Sequence, residues 1–328
     1  MIDHFGAFDG KLVLVTGGCG FIGHHVVEKF ASLGARITVL DDLSSGSINN
    51  LDGISGDVHL IRGSILNESK VKKASKGVSF IVHLAAQTSV AGSVENPEKV
   101  FLENVEGSFL LLDTVKRFVK RVVFSSSCSV YGETSLIPLC ESIYPVPVSP
   151  YAASKVSGEA LANAFSKSFG MEVFSLRFFN VYGPGQRLDS SYAAAIPSFV
   201  SKAITGEDLP IYGDGKQTRD FVHVSNVAAA VLSACVSPFP DCNNAAVINV
   251  GSGVETSIQE LALIILRLTE STSLMRHFAP RAGDVRRSFA STDLLKTILG
   301  IRECLDLETG LCQLIAKTKI SRGSSCQI

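Results

Sequence analysis

No stretch of the 328-residue chain approaches the ~20 consecutive apolar residues that a membrane span needs. The first ten residues, Met-Ile-Asp-His-Phe-Gly-Ala-Phe-Asp-Gly, also lack a basic segment followed by an apolar one. A soluble, cytoplasmic protein is the expectation. An excess of charge of one sign is missing too: 30 Lys and Arg stand against 31 Asp and Glu, a net charge of -1, which speaks against a nucleic-acid or anionic-membrane partner. The eight cysteines (Cys19, Cys128, Cys140, Cys235, Cys242, Cys304, Cys312, Cys326) form no C-x-x-C pair and no zinc-like cluster, so most read as small buried thiols rather than metal ligands or disulfides. G-x-S-x-G is absent around Ser125-Ser126-Ser127, which removes a nucleophile elbow.

What is present begins at residue 12. Leu-Val-Leu-Val-Thr runs into Gly-Gly-Cys-Gly-Phe-Ile-Gly and then into apolar periodicity at Val26, Val27, Phe30 and Leu33, the order strand, turn, helix. Gly18, Gly20 and Gly23 satisfy G-x-G-x-x-G, and Gly17, Gly20 and Gly23 satisfy G-x-x-G-x-x-G; either lets helix-start amides approach a pyrophosphate. Gly34 closes the helix, Arg36 to Leu40 makes a second strand, and Asp41 follows where a carboxylate accepts from adenosine ribose hydroxyls. That acid, with no arginine next to it, favours NAD over NADP; the plainer alternative is that Asp41 and Asp42 open a polar turn.

Further strands are expected at Val58 to Arg62, Phe80 to Leu84, Arg121 to Ser125 and Val173 to Arg177, with helices around 67–74, 100–118 and 151–169. This alternation predicts an α/β fold on a doubly wound parallel sheet. Past Asn180 it weakens, and a second lobe is expected there, with Val247 to Val250 returning to the sheet. Tyr151 and Lys155 share a helix face one turn apart, so the ammonium is expected to favour the ionised phenol and make Tyr151 a general base. Ser127, at a strand end, can hold the oxygen whose proton Tyr151 takes. A solvated helix face and a serine strand cap are the alternatives. His24, His25 and His83 are read as packing residues, and Lys70, Lys72, Lys73 and Lys76 as a solvated helix edge.

The ordered set resembles the extended short-chain dehydrogenase/reductase family, within it the nucleotide-sugar 4-epimerases. The matching segments are Thr16 to Gly23, Asp41 to Gly46, His83 to Gln87 with Ser89, Val90, Ser93 and Pro97, Asn104, Ser125 to Gly132, Ser149 to Lys155, Arg177 to Gly185, Gly213 to Val224 and Pro280 to Asp284. The resemblance implies a Rossmann domain over residues 1–179, rejoined at about 221–250, and a smaller C-terminal sugar-nucleotide-binding α/β lobe over 180–328. It implies a catalytic set of Ser127, Tyr151 and Lys155. Tightly bound NAD would contact Gly17, Gly20, Phe21, Ile22, Gly23, Asp41, Asp42, Ser44 and Gly46. It would also contact Ser64, Ile65, Leu84, Ala85, Ala86, Gln87, Asn104, Ser125, Tyr151, Lys155 and Phe178. A UDP-sugar would meet Ser89, Ser127, Tyr151, Asn180, Tyr212, Gln217, Arg219, Arg281, Asp284 and Ser288, with Arg219 and Arg281 on the diphosphate and Asp284 on the uridine ribose. A homodimer through a helix bundle is implied as well. An exposed Arg281–Asp284 pair and an Arg219–Asp220 surface ion pair are the plainer alternatives.

Two departures from the family pattern matter. Ser64 replaces the usual aspartate after Gly63, which predicts a weaker adenine contact. Ser288 stands where several relatives carry a bulky side chain, leaving room for an N-acetyl group. Interconversion of UDP-GlcNAc and UDP-GalNAc is therefore expected, with UDP-Glc and UDP-Gal as a second activity, since a roomy site cannot exclude a smaller sugar. Cys128-Ser129 occupies the places where related dehydratases carry Asp-Glu and where decarboxylases carry a glutamate, so elimination and decarboxylation lack their acid. A UDP-glucuronate 4-epimerase, another NAD-dependent UDP-sugar epimerase or dehydratase, and an NAD-sensing scaffold without turnover stand as alternatives.

Overall fold

The computed structural model describes residues 6–186, 195–240, 245–280 and 284–323. Its centre is a seven-stranded sheet, every pair in it parallel. In chain order the first six strands are β1 (Leu12–Thr16), β2 (Arg36–Asp41), β3 (Asp57–Arg62), β4 (Phe80–His83), β5 (Arg121–Ser127) and β6 (Glu172–Phe178); the seventh is Ala246–Val250. Across the sheet they lie 246–250, β6, β5, β4, β1, β2, β3. The order reverses beside β1, which has β2 on one side and β4 on the other, and a crevice opens beyond the strand ends at such a switch point.

Alternation within the strands feeds two cores, one per face. Val13 and Val15 enter one with Ile37, Val39 and Val82, while Leu14 enters the other with Leu40, Ile81 and Val122. Helix α1 (Phe21–Ser32) buries Val26, Val27 and Phe30 in the first core, against Val227, Ala228 and Val231 of the 224–236 helix. A third core lies apart: Tyr182, Phe199, Leu209, Ile211, Leu261 and Leu311 join the helices Ala195–Thr205, Ile258–Thr269 and Leu307–Gly323. Three two-stranded pairings border it, 180–182 with 221–223, 209–212 with 275–278, and 218–219 with 256–257. No described helix is long and apolar enough to cross a membrane.

The helix Pro150–Phe169 is delimited by its own sequence. Ser149 caps it by accepting from the Ala152 amide at 3.1 Å, Pro150 begins it where no amide is needed, and Gly170 ends it at φ 68°. Gly158 sets its distance from the sheet: a Cβ there would sit 2.2 Å from the Phe124 ring, so only glycine lets the helix lie this close to β5. That approach seats Lys155 against the end of the strand.

Candidate functional site

The glycine turn after β1 resolves in favour of Gly17, Gly20 and Gly23. Gly17 has φ 71°, and a Cβ on it would lie 2.8 Å from the Ala85 amide nitrogen. A Cβ on Gly23 would lie 2.1 Å from the Gly17 carbonyl oxygen. Both positions therefore exclude any side chain, and the empty space above them is floored by backbone. Asp41 ends β2 over this turn, its two oxygens fixed by the Cys19 amide at 2.9 Å and the Leu43 amide at 2.8 Å. Each oxygen keeps a lone pair for a ribose hydroxyl. Burial, helped by Asp41, pushes the Cys19 thiol up to about 12, so it adds no charge where a pyrophosphate would lie.

A cleft of about 830 Å³ runs along the strand ends from this turn. Gly17, Gly20, Phe21, Ile22 and Gly23 line its start, and Asp41, Asp42, Ser44, Ser64 and Ile65 line one end. Leu84, Ala85, Ala86, Ser89, Ser125, Ser127, Tyr151, Lys155 and Phe178 line the remainder, together with Thr88 and Glu103, which the sequence did not single out. Three expected cofactor residues do not line it. Gly46 packs under the turn, where a Cβ would meet the Cys19 carbonyl at 2.5 Å. Asn104 is buried, its oxygen accepting from the Gln87 amide at 2.7 Å and its nitrogen donating to the Gln87 carbonyl at 3.0 Å and to Ser154 at 2.9 Å. Gln87 itself donates from its side chain to Glu103 at 2.6 Å. Asn104 lies in a π-helical turn, 101–106, and ties the loop after β4 to the helix that carries Tyr151.

Tyr151 and Ser127 face each other across the cleft. Ser127 Oγ accepts from the Ser129 amide at 3.2 Å and from the Ser129 hydroxyl at 3.0 Å, so its own proton is directed elsewhere, and its side chain lies near enough to Tyr151 to favour the ionised phenol. Lys155 does not reach the phenol as expected. Its Nζ donates to the Ser125 carbonyl at 2.9 Å and lies 5.7 Å from the centre of the Tyr151 ring. Burial pushes the phenol up to about 12, against the lowering by Ser127, so the chain by itself leaves Tyr151 protonated. Burial likewise lowers Lys155 to about 8, with Glu159 acting against it.

A second cavity of about 350 Å³ shares Val181, Gln186 and Pro197 with the cleft and is lined by Asn180, Tyr212, Gln217, Arg219 and Asp284. Gln217 donates to the Tyr212 carbonyl at 2.7 Å, and Arg219 pairs with Asp284. The Arg219–Asp220 pair weighed from the sequence does not form: Asp220 is fully buried and accepts from Ser252, Gly253 and Ala290. Arg281 lies outside the described residues. Ser288 is buried and lines neither cavity, but it acts on the Cys128 thiol, which puts residue 288 near the turn that follows Ser127.

The histidines pack, as their sequence context suggested. His24 and His25 donate to the Gly20 and Pro184 carbonyls, and His83 sits between Thr16 and Ser108, lowered to about 3 by burial and then by Lys155. Among the described residues no group of His, Cys, Asp and Glu could hold a metal ion, and the six described cysteines are free.

The cleft fits a dinucleotide on the chain's own terms: backbone where a phosphate needs close approach, and a fixed carboxylate where a ribose needs an acceptor. The chain is similar to the UDP-glucose 4-epimerase of Mycolicibacterium smegmatis, 33% identical over 308 residues, covering 92% of this chain and 96% of the relative. It is also similar to the UDP-N-acetyl-alpha-D-glucosaminuronate decarboxylase of Bacillus cytotoxicus, 34% identical over 273 residues, 81% of this chain and 83% of the relative. Its fold matches the UDP-N-acetylglucosamine 4-epimerase from Methanobrevibacter ruminantium M1, solved with UDP-N-acetylmuramic acid, with a TM-score of 0.91, 37% identity, and coverage of 96% of this chain and 100% of that one. The family model described as NAD dependent epimerase/dehydratase matches residues 13–251, which hold the glycine turn, Ser127 and the Tyr151–Lys155 pair, and the chain belongs to that family.

Proposed function

We propose that this NAD-dependent epimerase inverts C4 of a UDP-sugar through a 4-keto sugar, interconverting UDP-GlcNAc and UDP-GalNAc and also UDP-Glc and UDP-Gal. The observation that carries the reading is the Ser127–Tyr151 contact, in a cleft long enough for a dinucleotide and continuous with a cavity holding Arg219 and Asp284. NAD, held over the Gly17–Gly23 turn and Asp41, would supply reversible hydride acceptance, and its oxidised ring would add the positive charge that the Tyr151 phenol lacks in the chain alone. Ser127, with its lone pairs engaged by Ser129, donates to the reacting oxygen and holds it against Tyr151. Tyr151 takes the C4 hydroxyl proton and gives it back. Lys155, anchored on the Ser125 carbonyl, supplies the fixed cation nearby. Arg219 and the chain's Arg281 would take the diphosphate, Asp284 the uridine ribose, and Asn180, Tyr212, Gln217 and Ser89 the remaining contacts.

Substrate choice within this reading rests on two features. Ser288 is buried near Cys128 and lines neither cavity, and the reading takes its small side chain as what spares room for an acetyl group. Among the described residues Lys155 is the one cation lining the larger cleft, and its ammonium is committed to Ser125, while Glu103 adds a carboxylate; a uronate would find no free partner there. The same reading takes residues 1–179 with 221–250 as the cofactor domain and the rest as the sugar-nucleotide lobe. It takes the exposed Phe101, Leu102, Phe109 and Phe169 as part of a homodimer bundle.

The test is to incubate the purified protein without added cofactor with UDP-GlcNAc, UDP-Glc and UDP-glucuronate separately and to assign products by NMR. Inversion of the first two is expected; inversion of glucuronate alone overturns the substrate choice. Tyr151→Phe is expected to lose at least ~100-fold in turnover while keeping its NAD.

A further inference from the structure

Below Lys155 lies a buried acid that neither the motif reading nor the proposed reaction uses. Glu159 sits one helical turn further along the same face and is 9 % exposed. It accepts from Ser126 Oγ at 2.5 Å, from Arg177 Nε at 2.8 Å and from Arg177 Nη2 at 2.7 Å. Three donors thus converge on this one buried carboxyl. Arg177 is held in turn: its guanidinium lies 4.7 Å from the centre of the Tyr131 ring, and Tyr131 donates to Asn249 at 2.6 Å. Burial works against the Arg177 charge, and the bonds from Glu159 keep it charged.

We propose that Glu159 is a positioning residue of the reaction centre: clamped by Arg177 and Ser126, its carboxylate keeps Lys155 charged and seated on the Ser125 carbonyl. The surroundings of Lys155 show why a counter-charge is needed. From β5 it meets the Ser125 carbonyl and hydroxyl and the Phe124 ring, 5.4 Å from the ring centre; from its own helix it meets the Tyr151 ring. From β4 it faces His83, which is neutral because burial, and then Lys155 itself, oppose its charge. Among the described residues no carboxylate except Glu159 acts on Lys155, whose ammonium burial alone would drive toward the neutral amine. A lysine that loses its proton loosens its hold on Ser125 and removes the fixed cation from beside the Tyr151 ring. Ser126 and Arg177 come from β5 and β6, so the clamp also fixes the helix over the ends of the two strands that carry Ser127 and Phe178.

The proposal rests on Tyr151 and Lys155 being the reaction centre, and its test reads the lysine separately from turnover. In NAD-loaded protein carrying 13Cε-labelled lysine, the Lys155 resonance, assigned with Lys155→Met, is titrated by NMR alongside the pH profile of kcat. Glu159→Gln should lower the Lys155 midpoint by about one pH unit or more and move the alkaline limb of kcat with it, while Glu159→Asp restores most of the shift. Because Glu159→Gln leaves a buried arginine unpaired, which is costly to folding, Glu159→Gln with Arg177→Gln is measured as well; it leaves a neutral hydrogen-bonded pair and should lower the midpoint in the same direction. A Lys155 titration that stays in place in either folded variant overturns the proposal. A titration that moves while the pH profile stays fixed instead overturns Lys155 as part of the reaction centre.

Discussion

The Ser129 hydroxyl donates to Ser127 Oγ at 3.0 Å, and the Ser129 amide donates to the same atom at 3.2 Å. With both acceptor positions of Ser127 filled from one side, its proton is left to point at Tyr151 and at the oxygen between them. Ser129 thus acts through Ser127 and does not need to touch the sugar.

The two serines should respond differently to truncation. Ser127→Ala removes the donor to the reacting oxygen and should reduce kcat by on the order of 100-fold. Ser129→Ala removes one neutral hydrogen bond, worth about 1 kcal/mol, and should reduce kcat by roughly 5-fold with KM little changed. Steady-state kinetics on UDP-GlcNAc separates the cases. Equal losses in both variants would mean that Ser129 contacts substrate directly.

Lys155 makes activity and stability move in opposite directions above neutrality. Its folded-state value is lowered by burial to about 8, while the unfolded chain titrates near ~10.4. Between these values the unfolded state binds more protons than the folded one, so the lysine's contribution to stability rises with pH across that window. Turnover needs the ammonium and should fall as pH rises through about 8. Urea unfolding and kcat measured at pH 7, 8 and 9 check both trends. In Lys155→Met the stability increment between pH 7 and 9 should disappear.

Much of this site could be read in the chain because its demands are local. Gly20 and Gly23 are required by contacts with the Gly17 and Gly18 backbone a few residues away, and Asp41 ends β2, so order along the sequence carried much of the geometry, although what Gly17 avoids is the distant Ala85 backbone. The strands from β1 to β6 were legible for the same reason, each carrying a short local cluster of apolar residues. What escaped depends on distance in the chain. Asn104 looked like a cofactor contact, but its partners are Gln87 and Ser154, set by a π-helical turn that no periodicity announces. The Tyr151 phenol was expected to be lowered by a neighbour four residues away; that neighbour turns to the Ser125 carbonyl, burial raises the phenol, and burial depends on the whole fold. The short pairings at 180–182, 209–212, 218–219 and 275–278 are two to four residues long and give no alternating signal. Glu159 had the right spacing from Lys155, yet its importance appears only when Arg177, eighteen residues on, folds back against it.

Ser288 offers the sharpest test of what the sugar site admits. It is buried close enough to Cys128, directly after Ser127 in the chain, to act on its thiol, so a larger side chain at 288 is added beside the turn that follows Ser127. A tyrosine there takes volume that an N-acetyl group would need, whereas a sugar with a plain 2-hydroxyl needs less. Ser288→Tyr should therefore lower kcat/KM for UDP-GlcNAc at least ~10-fold relative to UDP-Glc. Because steric exclusion discriminates against the larger substrate alone, retained UDP-Glc turnover also reports that the variant is folded and holds its cofactor. Parallel kcat/KM measurements on the two sugars decide it, and an equal fall for both would show that residue 288 does not border the 2-substituent.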